Sequence, residues 1–496
     1  MEQITHHIGG EDVESASGAT FDSVDPYTRS AYAQVALGGR VEVDRAVAAA
    51  RQAYDEGPWP RMGLAERGAL LHRLADLVVE HTDELALADT VDMGKPVTDA
   101  RTKDVPRTAQ NLRFFADHAR LSTGETYPMD SGHHAYSVFQ PVGVVAAISP
   151  WNFPLMLESW KVAPALAWGN TVVLKPAEDT PKSGTLLARL ATEAGLPPGV
   201  LNVVHGFGPD SAGAALTEHP GVDRITFTGE SGTGRVIGQA AAARLTPVSF
   251  ELGGKGANLV FDDADLDNAV SWSVKAIFSN AGQVCLAGSR LFVQRAAYDE
   301  FVARFVAAAE ALRIGDPKDP ATELGPLASE EHWKKVTGYL DDVSAGTGTM
   351  LTGGPADGWF IRPTVVVDAP LDSRLKVPPS RPTPESPTPP NGARRSRMKK
   401  QLTQTVPARR AAETRCARER FSVKTIALSP YGESLASRTP SSSVSKGWIV
   451  TSGPNTSSQT SRESSGASTT TVGRMNQPSA GPPVSIVPVP AETSSR

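Results

Sequence analysis

Val142-Gly143-Val144-Val145-Ala146-Ala147-Ile148 is an unbroken apolar run that stops at Ser149-Pro150. An apolar run without polar alternation is the pattern of a strand buried on both faces, as the strands of a parallel sheet are. The segments around it follow that lead. Residues 171–174, entered from Gly169-Asn170 and left at Lys175-Pro176, read as a second strand, 200–204 as a third and 223–228 as a fourth. Helical patterns fall between them: 183–194, closed by Gly195 and Pro197-Pro198, and a helix from about 234 to 243. Upstream, 43–54 is an Ala-rich amphipathic helix, and 64–79 sets Leu70, Leu71, Leu74, Leu77 and Val78 at helical spacing. The succession of strand and helix predicts an α/β fold with a doubly wound dinucleotide-binding unit. No internal repeat is evident.

The net charge of −5 over 496 residues is the sum of two unlike parts. Residues 377–496 carry 17 Lys and Arg against 6 Glu and no Asp, whereas 1–376 carry 32 basic and 48 acidic residues. Ser, Thr and Pro make up 52 of the last 120 residues. Such a stretch buries too little apolar surface to offset its ordering entropy, so 377–496 is expected to be a disordered, low-complexity basic tail. The cluster Arg394-Arg395-Ser396-Arg397-Met398-Lys399-Lys400 is the part of it suited to an anionic partner, but aromatics are sparse and no base-reading motif accompanies it. A solvated extension is the expected reading, with no nucleic-acid partner. No run approaches the ~18 apolar residues of a membrane-spanning helix, and the start lacks the charged and apolar regions of a secretory signal. Two cysteines, Cys285 and Cys416, cannot build a disulfide framework or a cysteine-based zinc site. A cytoplasmic protein without a metal is expected.

Four places carry chemistry. Gly229-Glu230-Ser231-Gly232-Thr233-Gly234 joins a predicted strand to a predicted helix, where glycines let a backbone approach a pyrophosphate. Its spacing is neither that of the dinucleotide fingerprint nor that of a P-loop, and Glu230 sets a carboxylate beside the phosphate position; a tight structural turn is the alternative. Cys285 follows Asn280-Ala281-Gly282-Gln283-Val284, and is either a small buried hydrophobe or a thiol presented on an open turn. Glu251, in Phe250-Glu251-Leu252-Gly253-Gly254-Lys255, is either paired with Lys255 or set in a pocket that raises its pKa into the range of a general base. Asn152, in Pro150-Trp151-Asn152-Phe153-Pro154, is either an oxyanion donor aimed by a rigid turn or an ordinary turn residue.

Taken together, these stretches resemble the NAD(P)-dependent aldehyde dehydrogenase superfamily over residues from about 20 to 376. The resemblance rests on Pro150-Trp151-Asn152-Phe153-Pro154, on the run from Asn170 through Lys175-Pro176-Ala177-Glu178 to Pro181, on Phe227-Thr228-Gly229, on Phe250 to Lys255, and on Gly282-Gln283-Val284-Cys285, in the family's order. It implies that Cys285 is the nucleophile, Glu251 the general base, and Asn152 an oxyanion donor together with the Cys285 N–H. It implies NAD as cofactor, held by Trp151, Lys175, Glu178, Gly229, Glu230, Ser231, Gly234 and Leu252. A carboxylate at 178 accepts from ribose hydroxyls and repels a 2′-phosphate, which favours NAD over NADP. The implied reaction oxidises a small-molecule aldehyde to a carboxylic acid through a cysteine thiohemiacetal and thioester. The alternatives are an NADP-linked or CoA-acylating relative, and a non-catalytic protein binding an anionic partner through its basic tail.

The implied layout is an NAD-binding domain from 1–122 and 141–250, an oligomerisation flap at 123–140, an incomplete catalytic domain from 251–376, and the tail. Relatives continue past this point into a Glu-x-Phe-Gly-Pro motif, whose Glu grips the nicotinamide ribose. Here Leu375-Lys376-Val377 runs into Pro378-Pro379-Ser380-Arg381-Pro382 instead. A shifted reading frame is the expected origin of the tail, and the motif in a neighbouring frame of the coding DNA would identify it. The chemistry is encoded, but losing that segment is expected to open sheet edges and to position the nicotinamide poorly, which weakens activity and the family's homo-oligomer.

Overall fold

The computed structural model describes residues 1–130, 132–370, 373, 375 and 421–427. Two compact units divide the chain: Met1–Gly124 with Val138–Ala436, and a second containing Glu125–Ser137. Within the second, Thr126–Tyr127 and Ala135–Tyr136 pair antiparallel as a short hairpin.

The first unit is built on a seven-stranded sheet in the order Val248–Leu252, Arg224–Gly229, Val144–Ile148, Thr171–Lys175, Leu201–Val203, His6–Ile8 and Glu11–Val13. The first five run parallel, and the last two are added antiparallel. Every residue of Val144–Ile148 and of Thr171–Lys175 is buried, as the apolar run predicts. Ala-rich helix Arg40–Asp55 packs Val43, Val47 and Ala50 with Val144, Ala146 and Val173 in one core cluster. The helices Leu64–Glu80, Val105–Leu121 and Pro154–Ala167 share a second cluster with Val145, Val172 and Leu174. Helices thus cover both faces, and each Val or Leu buried between them contributes about 1.5–3 kcal/mol of transfer free energy.

The strand order places the crossover reversal between Val144–Ile148 and Arg224–Gly229, whose chain successors lie on opposite sides. In open α/β sheets the ligand crevice lies beyond the carboxyl ends of the strands at this switch point. Here those ends lead into Ser149-Pro150-Trp151-Asn152 and Glu230-Ser231. The glycine-rich turn therefore follows the fourth parallel strand, not the first as in the dinucleotide fingerprint. One boundary is corrected: the helix predicted from about 234 starts at Ser231 and runs to Ala242, so the turn is itself the helix N-terminus.

The first unit also holds a three-stranded sheet, in the order Glu2–Ile4, Ser30–Ala36 and Thr20–Asp25, and a five-stranded sheet, in the order Ala257–Val260, Arg290–Gln294, Phe421–Ala427, Ile361–Val367 and Thr349–Pro355. Helices Leu266–Phe278 and Arg295–Glu310 bury Ile277, Phe278, Phe301 and Phe305 with Leu291, Val293 and Val365. Phe421–Ala427, which belongs to the expected tail, pairs antiparallel with both Arg290–Gln294 and Ile361–Val367. The remainder of 378–496, with the basic cluster at 394–400 and Cys416, lies outside the described residues. Among the described residues no helix is long and apolar enough to cross a membrane, and no cluster of His, Cys, Asp and Glu could hold a metal ion.

Candidate active site

The Trp151-Asn152 turn leaves the end of a buried strand and enters helix Pro154–Ala167. Pro154 occupies the first helical position, where its missing N–H is no loss and its fixed φ sets the entry angle. Lys95, paired with Asp104 in the interior, lies 3.7 Å from the centre of the Phe153 ring and braces the turn from below. Asn152 is buried, and its Nδ2 donates to the Gln283 carbonyl at 2.8 Å. That bond fixes the amide's orientation and leaves the second N–H of Nδ2 for another acceptor. Gln283 stands two residues before Cys285, so a bond across 131 residues of chain brings Asn152 to the turn of the nucleophile candidate.

The segment that delivers Cys285 is strained. Asn280 and Ala281 both sit in the left-handed region, with φ of 54° each, and Gly282 follows at 77°. For residues with a Cβ each such conformation costs roughly 1–2 kcal/mol. Cys285 is half-buried, on the open turn considered from its small upstream neighbours. Burial pushes its thiol above the ordinary range, and the Glu251 carboxylate adds to this. Its own backbone N–H, the Leu286 N–H and the Lys161 ammonium act in the opposite direction by favouring the thiolate.

Lys161 is a residue that motif reading passes over. It is buried two turns into helix Pro154–Ala167, and its Nζ donates to Thr228 Oγ1 at 2.5 Å. Burial lowers its pKa to about 8, while Glu251, Glu158 and Cys285 pull it back up. A lysine in a helix of apolar residues is the only sequence signal it gives. Glu251 is coupled to both Lys161 and Cys285, but it lies on the exposed end of edge strand Val248–Leu252. The enclosing pocket is thus not formed around Glu251 by the described residues: this strand ends the seven-stranded sheet, and Phe250 and Leu252 beside it are exposed too.

On the other side of the switch point, Lys175 is buried and donates to the Pro176 carbonyl at 2.9 Å and to Glu178 at 3.3 Å. Burial lowers the Lys175 pKa, and Glu178 opposes the shift. Helix Ser231–Ala242 opens at the glycine turn with Glu230 at its cap, and the Glu230 side chain makes no capping bond. A Cβ at Gly234 would meet Leu252 Cδ2 at 2.9 Å and one at Gly229 the Phe227 ring at 2.5 Å, whereas one at Gly232 would meet nothing within 4 Å. The outer glycines allow close helix–strand packing, and the space over Gly232 is open. Glu230 accepts from Lys335 Nζ at 3.1 Å, so its carboxylate is compensated rather than left facing an anion.

Lys335 lies on helix Glu330–Ser344, capped by the Ser329 hydroxyl. From the same helix His332 packs its ring 4.6 Å from that of Trp151, and burial pushes its pKa down to about 3. This helix faces both turns of the switch point, which nothing in its amphipathic sequence announces.

The family model for the aldehyde dehydrogenase family matches residues 13–376. The 2-hydroxymuconic semialdehyde dehydrogenase of Pseudomonas sp. strain CF600 is 50% identical over 377 residues, 74% of this chain and 77% of that protein. The mitochondrial aldehyde dehydrogenase of Homo sapiens is 46% identical over 366 residues, 73% of this chain and 71% of that one. The NAD+ complex of aldehyde dehydrogenase from Bacillus cereus superposes with a TM-score of 0.74 at 41% identity, covering 76% of this chain and 77% of that one. With motifs, topology and relatives in agreement over the same residues, this chain belongs to the aldehyde dehydrogenase family.

Proposed function

We propose that this chain oxidises an aldehyde to the carboxylic acid with NAD, through a covalent adduct on Cys285. The observation that carries the reading is the bond from Asn152 Nδ2 to the Gln283 carbonyl, which registers an oxyanion donor against the nucleophile's turn. The Cys285 thiolate attacks the aldehyde carbon, and the carbonyl oxygen takes up negative charge between the Cys285 N–H and the free N–H of Asn152. Because burial disfavours the thiolate, the proton must go to a group already coupled to the sulfur; Glu251 serves as that base and Lys161 steadies the charge. When bound, NAD supplies the hydride acceptor that this chemistry requires. Glu251, exposed at the end of its strand, gives that proton up to solvent and then deprotonates the water that releases the acyl group from sulfur.

The residues present fit a dinucleotide. Open space over Gly232 at an uncapped helix N-terminus suits a pyrophosphate, with Ser231 and the glycines at 229 and 234 forming the cradle. Glu178, oriented by Lys175, suits a ribose diol and opposes a 2′-phosphate. Trp151, Leu252 and the compensated Glu230 complete the walls. Residues 1–122 and 141–250 make up the cofactor domain in this reading, 251–376 the catalytic domain and 123–140 an oligomerisation flap. The identity to a 2-hydroxymuconic semialdehyde dehydrogenase makes an unsaturated semialdehyde bearing a carboxylate the first substrate to test.

The test is NADH formation by the purified chain with that semialdehyde and with aliphatic and aromatic aldehydes, beside Cys285→Ser and Glu251→Gln. Cys285→Ser is expected to abolish NADH formation, and Glu251→Gln to accumulate acyl-enzyme detectable by intact mass. Wild-type turnover in Cys285→Ser would overturn the reading.

A further inference from the structure

Gln283 is buried and bonded through every polar group it has on one side of the nucleophile turn. Its Nε2 donates to the Asn280 carbonyl at 3.1 Å, and its backbone N–H donates to the same carbonyl at 3.0 Å. Its Oε1 accepts from the Ala328 N–H at 3.0 Å. Its own carbonyl accepts from Asn152 Nδ2 at 2.8 Å and from Asn280 Nδ2 at 3.4 Å. Asn280 Nδ2 also donates to the Asn152 carbonyl at 2.8 Å, so the two turns are bonded in both directions.

These bonds surround the two left-handed residues, Asn280 and Ala281. Ala281 has no side chain with which to hold that conformation. The carboxamide of Gln283 does so from outside: one end closes the turn on Asn280, and the other fixes it to the segment Leu327-Ala328, which leads into helix Glu330–Ser344. If the turn relaxed, the Gln283 carbonyl would swing away and release the amide of Asn152.

We infer that Gln283 is a positioning residue whose side-chain amide holds the strained turn at 280–282, so that the Gln283 carbonyl keeps the Asn152 amide in register with Cys285. The inference deepens the proposed reaction and rests on it for the roles of Cys285 and Asn152. It assigns to Gln283 no contact with substrate or cofactor.

The experiment uses the full chain without cofactor. p-Nitrophenyl acetate acylates a reactive thiolate: sulfur bonds to the acetyl carbon, the negative charge develops on its oxygen, and nitrophenolate leaves. Iodoacetamide alkylates the same sulfur with no oxyanion formed. Gln283→Met keeps the volume and removes both side-chain bonds. It is expected to slow the nitrophenolate burst by roughly a hundredfold, as a misplaced group does, while alkylation of the Cys285 peptide stays within about threefold of wild type. In the Asn152→Ala background, Gln283→Met is expected to add no further slowing, because the two act as one unit.

A burst at the wild-type rate in Gln283→Met, equal slowing of both reactions, or independent multiplication of the two effects would each overturn the inference. Gln283→Glu keeps the acceptor for Ala328 and loses the donor to Asn280, and carries the test if the Met variant does not fold. Its burst is expected to be slower than wild type while alkylation of the Cys285 peptide stays near the wild-type rate, and a wild-type burst overturns the inference. Cys285→Ser separates the two failures. A persistent burst there rejects the proposed reaction, whereas no burst there with full acylation in Gln283→Met rejects only the role of Gln283.

Discussion

A lysine, a cysteine and a histidine show how the interior resets ordinary side chains. Burial brings Lys161 to about 8, so the ammonium that favours the Cys285 thiolate is fully present only below that pH. Lys161→Met is expected to move the pH profile of Cys285 alkylation to higher pH, measured by iodoacetamide trapping. An unchanged profile would show that the charge does not reach the sulfur. His332 lies at about 3, against 6.5 for a free imidazole. Its folded pKa is depressed, so between those values the unfolded chain binds more protons than the folded one, and acid removes stability across that window. The slope is at most about 1.4 kcal/mol per pH unit for one group. His332→Gln is expected to show a shallower loss of melting temperature from neutral pH toward pH 4, followed by circular dichroism. A parallel decline in both proteins would exclude His332 as a source. Cys285, Glu251 and Asn152 were legible because each stands in a short motif. Lys161 and His332 were not, because burial and partners far along the chain set them apart, and Gln283, although inside the Cys285 motif, gains its bonds to Asn280 and Ala328 only in the fold.

Strand runs and turn chemistry located most of the cofactor-side elements within a few residues. The exception is instructive: the helix expected from about 234 begins at Ser231. Glycines lower helix propensity, so a turn rich in them reads as loop. Packing overrides that preference, since Gly234 lets the helix lie against Leu252 where a Cβ would stand 2.9 Å from Cδ2. Gly234→Val is therefore expected to push the helix off the sheet and weaken NAD binding by at least about tenfold, with a loss of about 1–3 kcal/mol in stability from overpacking. Quenching of tryptophan fluorescence by NAD, together with a urea melt, measures both. Wild-type affinity in a folded Gly234→Val variant would remove this helix from the cofactor site.

Across the molecule, the chain joins a family-like body to a C-terminal stretch of different composition. Phe421–Ala427, from that stretch, occupies a place between Arg290–Gln294 and Ile361–Val367 and hydrogen-bonds to both. Without it two strands would present unpaired edges, which template association between chains. Removing residues 378–496 is accordingly expected to lower the melting temperature and to shift the protein to higher-mass species in size-exclusion chromatography. A monodisperse truncated chain with the same melting temperature would show that the inserted strand contributes nothing. Composition could not foresee the insertion, because strand pairing depends on a vacancy in a sheet whose other members are more than fifty residues away in sequence.

By itself, the sequence determined the α/β class and the family, and it singled out candidates for the nucleophile, the base and the oxyanion donor. Those depend on local patterns: a doubly buried apolar run, a Pro-bracketed asparagine, a cysteine after small residues. Tertiary structure alone decided the rest. It reversed the strand order between Val144–Ile148 and Arg224–Gly229, compensated Glu230 with Lys335, left Glu251 on an edge strand, and bound the Asn152 amide to the turn of Cys285. Each is a relation between segments distant in the chain, and hydrogen bonds and charge coupling act across a few ångströms of space whatever the separation in sequence.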